Sequence, residues 1–310
     1  PKNTEICILE LGMNKSGEIK RLSEICNPEI AIITSIENSH LSGLKTLKKI
    51  AEAKCEILLE LPKNGCCIFN ADTNYSELVY KRAKELKLKN IISYGRAKKA
   101  NVKLENIKIE KNKYFIDAII FDKKISWCMP DIGEHWVLNS LSLLAVAYFY
   151  NYDLNKITLG ISNFRIPKGR GNKKQYKLNN KLFTVFDDSY NSNPASLKAS
   201  LLSFSKINSS GRKIAILGDM LELGKNSLEF HLKFREIIIK TGIDILLTKG
   251  KYMEEVFKIM PKDIESYHFE NMDMLINKFK NLIANKDTVL LKGSNSNRLD
   301  QLIKNIEGNG

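Results

Sequence analysis

Hydrophobic positions in the second half of the chain fall into short apolar runs separated by amphipathic stretches. The runs LFTVFDD (182–188), KIAILGD (213–219), DILLTKG (244–250) and TVLLKGS (288–294) predict strands. PASLKASLLSFSKI (194–207), SLEFHLKFREIIIKTG (227–242), YMEEVFKIM (252–260), MDMLINKFKNLI (272–283) and RLDQLIKNI (298–306) carry helical spacing. Strand and helix in alternation predict a parallel α/β sheet with helices on both faces, whose strand ends at the carboxyl side bind ligands. The first half begins the same way. ICILELG (6–12), EIAIITSI (29–36) and CCIFN (66–70) predict strands, GEIKRLSEIC (17–26) a helix, and a long helix is expected around 43–60. Residues 102–128 then alternate as short antiparallel strands do, and GEHWVLNSLSLLAVAYFYN (133–151) predicts a helix. FRIPKGRGNKK (164–174) is polar, Gly-rich and holds Pro167, so it predicts a linker between domains at 1–166 and 167–310.

Composition narrows the class. With 43% hydrophobic and 27% charged residues in 310, there is ample material for a core and disorder is excluded as the main reading. No run approaches the ~18–20 apolar residues of a membrane span. The chain opens PKNTEICILELG, with no secretory leader pattern and no Met, so a cytoplasmic protein with a missing N-terminus is expected. The net charge is +14, but Lys far outnumbers Arg and is scattered, which predicts a solvated surface rather than a nucleic-acid partner. Cys7, Cys26, Cys55, Cys66, Cys67 and Cys128 form no C-x-x-C pair, and several sit in apolar runs, as buried free thiols would.

No G-x-x-x-x-G-K-[ST] phosphate loop is present. Gly224-Lys225 is followed by Asn226, and Asp219 stands where the first Gly belongs. G-x-G-x-x-G is absent as well. What remains is a set of polar clusters at predicted strand ends. Glu10 in ELGMNKSGE is either an Mg²⁺ ligand or a loop acid. His40 follows the strand at 29–36, and a lone His is commonly structural. Lys54, among Ala, Cys and Ile on a helix, reads locally as a snorkelling side chain. DDSYNSNP (187–194) could clamp a ribose or a metal, or could be a plain strand-to-helix turn. GDMLELG (218–224) and KGS (292–294) directly follow strands, where Gly admits a ligand to the backbone and the next helix N-terminus favours anions.

Taken in order, ELGMNKSGEI, the His40 segment, AKCEI, FNAD, GEHWVLNSL, PKGRG, DDSYNSNP, GDMLELG and KGS resemble the Mur ligase family over residues 4 to about 306. DDSYNSNP and GDMLELG are similar to the members that use D-alanyl-D-alanine rather than to siblings with a D-Y-A-H-type motif. The resemblance implies a central ATPase-like domain, truncated at its start, with a parallel sheet plus a small antiparallel sheet. A Rossmann-like C-terminal domain follows. It also implies an ADP-forming amide ligase of cell-wall synthesis, expected as a monomer. In it the carboxylate of UDP-N-acetylmuramoyl-tripeptide takes the γ-phosphate of ATP, and the amine of D-alanyl-D-alanine attacks the acyl phosphate. By the same resemblance Glu10, His40 and Lys54 would hold Mg²⁺, with Lys54 carboxylated by CO₂. Asn139 would contact the ATP base, Arg170 would reach ATP from the linker, and Asp188 and Asn191 would touch its ribose and phosphates. Lys292 and Ser294 would lie at the incoming substrate. The family's phosphate loop and UDP-binding domain precede the segment matched here, so the chain alone is expected to be inactive or nearly so. Asn295 replaces an Arg frequent in the family, a place Arg298 could take. A loop-less non-catalytic paralogue that binds nucleotide-sugar peptides, and another Mur- or folylpolyglutamate-type ligase, are the competing readings.

Overall fold

The computed structural model describes residues 2–37, 41–110, 113–130 and 133–308. The chain divides into two compact units, Pro1–Phe164 and Arg165–Gly310.

The first unit runs α1 (Glu18–Cys26), β1 (Ile30–Ile33), α2 (Leu41–Leu44), α3 (Leu47–Cys55), β2 (Cys66–Asn70), α4 (Ser76–Glu85) and β3 (Asn90–Gly95). It continues with β4 (Val102–Glu110), β5 (Lys113–Ile120), β6 (Lys123–Pro130), α5 (Glu134–Phe149) and α6 (Leu154–Ser162). Its six strands lie in chain order in one sheet. β1 to β4 pair in parallel, and β4, β5 and β6 continue the same sheet as an antiparallel meander. The expected small antiparallel sheet is thus an extension of the parallel one. Burial explains the two sequence patterns. β2 is buried on both faces, with Cys66 and Ile68 packing on the α5 side and Cys67 and Phe69 on the α3 and α4 side, so it reads as a continuous apolar run. β5 buries only Tyr114, Ile116, Ala118 and Ile120, so it alternates.

The second unit runs β7 (Asn172–Leu178), β8 (Lys181–Asp188), α7 (Pro194–Ser205), β9 (Lys213–Gly218), α8 (Ser227–Leu232), α9 (Phe234–Lys240) and β10 (Ile245–Lys249). α10 (Lys251–Lys258), β11 (Glu265–Phe269), α11 (Met272–Leu282), β12 (Thr288–Lys292) and α12 (Asp300–Gly308) complete it. The sheet order is β11-β10-β9-β12-β8-β7, parallel except for the edge strand β7. α7, α9 and α10 cover one face and α11 and α12 the other.

Four expectations change. Residues 6–12 are not a strand: they pair with no described strand, and Ile6 and Ile8 stand 69% and 89% exposed despite their alternation. An apolar alternation becomes a strand only where a neighbour takes its N–H and C=O groups. The helix expected around 43–60 is divided, because Lys45 adopts φ 65 and Thr46 then caps α3 by accepting from Lys49 N. The helix expected over 227–242 breaks at Lys233, where α8 stays on the β9 loop through His231 while α9 turns to bury Phe234 and Ile238. The segment taken as a linker gives its last three residues to β7, which no sequence run announced.

Candidate functional site

In the second unit, β9 and β12 are neighbours whose following loops leave toward opposite faces. Met220 and Leu223 join the core on the α7 side, Leu299 and Leu302 the core on the α12 side. Such a parting of loops opens a crevice at the carboxyl ends of the strands. β8, next to β12, delivers DDSYNSNP to the same end. Asn193 caps α7 in a capping box with Ser196, and Pro194 opens the helix, which is why this motif turns where it does.

Several of the expected residues meet here. Lys292, at 2% exposure, lies 2.9 Å from the Asp188 carboxylate. Its Nζ donates to the Asn191 carbonyl at 2.6 Å and to the Asp188 carbonyl at 3.4 Å. Burial pushes the Lys292 ammonium below its ordinary pKa, Asp188 raises it, and the nearby Arg170 charge lowers it further. Arg170 lies over the Tyr190 ring, 4.0 Å from its centroid. The Asn191 side chain is exposed, with its Oδ1 accepting from Ser192 N at 2.8 Å. Ser294 sits one loop away, where its hydroxyl accepts from Leu221 N at 2.9 Å and its N–H donates to the Asp219 carbonyl. Asn295 and Arg298 are exposed on that loop.

Four residues were not singled out from sequence. Asp219 accepts from Tyr252 N and Met253 N and so caps α10 from a neighbouring strand. Asn297 donates to the Asp219 and Ser294 carbonyls, and a Cβ on Gly218 would fall 2.7 Å from its Cγ. GDM and KGS are therefore cross-linked to each other. Ser192 is buried with its hydroxyl unpartnered among the described residues. Tyr190 carried one legible signal, an aromatic ring within an otherwise polar turn.

In the first unit, Glu10 is exposed and Lys54 half-buried on α3. Burial pushes the Lys54 amine down, and the charge of Glu10 opposes it. His40 lies outside the described residues. No group of three or more His, Cys, Asp and Glu able to hold a metal occurs among the described residues. Of the residues expected to hold Mg²⁺, Glu10 offers a carboxylate oxygen, and burial biases the Lys54 amine toward its neutral form, the form that takes up CO₂. Asn139 is exposed on α5. Cys55 and Cys66 are buried with pKa values pushed up to about 12, so they are inert thiols, whereas Cys7 is exposed. No described helix is long and apolar enough to cross a membrane.

Comparison with known proteins identifies the surroundings of these residues. Residues 1–147 match the Mur ligase middle domain, and residues 170–295 match the Mur ligase, glutamate ligase domain. A UDP-N-acetylmuramoyl-tripeptide–D-alanyl-D-alanine ligase of Rickettsia prowazekii is 33% identical over 97% of this chain and 66% of its own length. The enzyme of that name from Buchnera aphidicola subsp. Baizongia pistaciae is 34% identical over 98% of this chain and 64% of its own. The chain thus spans just under two thirds of the length of these curated relatives. A crystal structure of MurF from Acinetobacter baumannii has the same fold, with TM-score 0.80 and 24% identity over 97% of this chain and 64% of that one. MurF ligase of Thermotoga maritima, solved in complex with ADP, aligns with TM-score 0.79 and 20% identity over 97% of this chain and 66% of that one.

Proposed function

The chain belongs to the Mur ligase family, and we propose that it is the middle and C-terminal part of an ADP-forming ligase joining D-alanyl-D-alanine to UDP-N-acetylmuramoyl-tripeptide. The observation that carries this reading is the convergence of Arg170, Asp188, Asn191 and Lys292 at the carboxyl ends of β8 and β12. They stand in a chain 33% identical over 97% of its length to a relative of that name.

Activating a carboxylate with ATP leaves little covalent work to the protein, which positions the reactants and balances charge. Arg170 supplies a planar cation suited to phosphate. Asp188 and Asn191 take the ribose and phosphates. Glu10, His40 and a carboxylated Lys54 would hold Mg²⁺, which, when bound, neutralises phosphate charge. The end of β12, with Lys292 and Ser294, borders the incoming amine, and the part of Lys292 itself is taken up below. The site belongs to a cytoplasmic enzyme acting as a monomer.

The test is an assay of the protein as its gene encodes it, with ATP, Mg²⁺ and both substrates. ADP and the pentapeptide product are expected in equal amounts. Ligation of single amino acids in preference to D-alanyl-D-alanine would sink the substrate assignment. Binding of UDP-N-acetylmuramoyl-tripeptide without ATP turnover would replace the ligase by a binding protein. In the same preparation, ¹³CO₂ is expected to give a carbamate carbonyl resonance that Lys54→Arg lacks. Its absence at saturating bicarbonate would remove Lys54 from the metal set.

A further inference from the structure

Lys292 is a charged residue in a place where charges are rarely found. Its 2% exposure leaves no water to solvate the ammonium, so protein groups must do so. They do: the Asp188 carboxylate at 2.9 Å, the Asn191 carbonyl at 2.6 Å and the Asp188 carbonyl at 3.4 Å. Asp188 is fixed in turn by the Ser200 hydroxyl, which donates to its Oδ2 at 2.5 Å. All three acceptors lie on the stretch 188–191, so the ammonium gathers both ends of one short loop onto the end of β12.

The middle of that loop carries Tyr190, 46% exposed, with the Arg170 guanidinium lying on its ring. The backbone holds the two segments together. Tyr190 N donates to the Gly169 carbonyl at 2.9 Å and Gly171 N to the Asp187 carbonyl at 2.8 Å. Gly169 is at φ 77, and a Cβ there would meet Tyr190 Cβ and N at 3.2 Å, so the approach depends on glycine. A guanidinium carbon held 4.0 Å over an aromatic ring confines a long side chain to a restricted set of positions.

We propose that Lys292 is a positioning residue, a buried staple that fastens the 188–191 loop so that Tyr190 holds Arg170 in place. This replaces substrate contact as its role. It rests on, and deepens, the reading of Arg170 as a phosphate contact. The incoming substrate meets Ser294 and its loop, while Lys292 acts through the loop it holds. Removing the ammonium takes a donor from a carboxylate and two carbonyls, and the loop relaxes to solvate them. Tyr190 then moves and Arg170 loses its platform.

The experiment needs no ligand. The chain has eight arginines, so their side-chain Nε–H and δ-methylene resonances can be followed by NMR, with Arg170→Lys assigning the signal. Arg170 is expected upfield of the other seven because of the Tyr190 ring current. Tyr190→Leu is expected to abolish that displacement and Tyr190→Phe to keep it. Lys292→Met is expected to abolish it with Tyr190 intact, and Lys292→Arg to restore it in part. A folded Lys292→Met chain, judged by circular dichroism, with Arg170 still displaced would overturn the proposal. Should Lys292→Met fail to fold, Lys292→Ala, which removes the donor and leaves room for water, is read by the same criterion. A titration of the protein as its gene encodes it with Mg·ADP separates the Arg170 reading from the staple. An Arg170 signal that ignores nucleotide defeats the phosphate reading, while the staple stands or falls on the unligated spectra.

Discussion

His231 shows how a residue that looks available for chemistry is used up by structure. It is fully buried, its Nδ1 donates to the Ser227 carbonyl at 2.6 Å, and its Nε2 accepts from Met220 N at 2.9 Å. That pattern requires the neutral ring. Burial pushes its pKa below the ordinary 6.5, against the pull of the Ser227 carbonyl and the Asp219 carboxylate. The sign of the stability effect follows from linkage. Above about pH 6.5 the ring is neutral in folded and unfolded chain alike, and its contribution is complete. As pH falls below that value the unfolded chain binds the proton more readily, and stability drops until the folded-state pKa is reached. Urea midpoints measured from about pH 7.5 down to about pH 5.5 are expected to fall, and to fall less in His231→Gln. Equal slopes for the two proteins would show that other groups set the dependence.

Elements are held at their ends by side chains distant in sequence. The Glu56 carboxylate accepts from Gly17 N at 2.8 Å, Lys20 N at 3.1 Å and the Ser16 hydroxyl at 2.9 Å, so it caps α1 from 39 residues beyond Gly17. An anion at a helix N-terminus satisfies orphan N–H groups and opposes the helix dipole. Glu56→Ala is expected to cost about 1 kcal/mol, read as a lowered midpoint of denaturant unfolding. A midpoint unchanged from wild type would mean water replaces the carboxylate at no cost. No local pattern predicts such a cap, whereas the Asn193–Ser196 cap of α7 is local and was legible in SNPAS. The same contrast runs through the strands. β2, β9, β10 and β12 announce themselves because both their faces are buried, and β8 because Phe183 and Val185 alternate into the core. β7, with its lysines, lies at a sheet edge and owes its existence to β8 beside it.

At the scale of the whole molecule, each unit has its own apolar core. Both tryptophans, Trp127 and Trp136, belong to the first unit. Their fluorescence therefore reports one unit, while circular dichroism reports both. Asp287, 1% exposed, takes Arg212 Nε and Nη2 together with two backbone N–H groups in the second unit. Asp287→Ala is expected to cost that unit about 2 kcal/mol by leaving the Arg212 and Ala284 N–H groups without their acceptor. The loss is expected in the dichroism transition and not in tryptophan emission; a shift in emission of the same size would mean the units unfold together. The candidate site divides along the same line between legible and illegible. Asp188, Asn191, Lys292 and Ser294 could be found because Gly, Asn and acidic residues cluster just past apolar runs, and a parallel sheet puts every such cluster at one end. That Lys292 spends its charge inside the protein, that Asp219 caps a helix and that Tyr190 carries Arg170 could not, because these depend on which strands are neighbours. By itself the sequence determined the α/β class, most strands and the strand-end clusters, since hydrophobic periodicity and turn chemistry are local. Only the tertiary structure decided that α8 and α9 part at Lys233, that β7 forms and what each charge at the site touches. Ladder partners, burial and ion pairs are set by residues tens of positions apart.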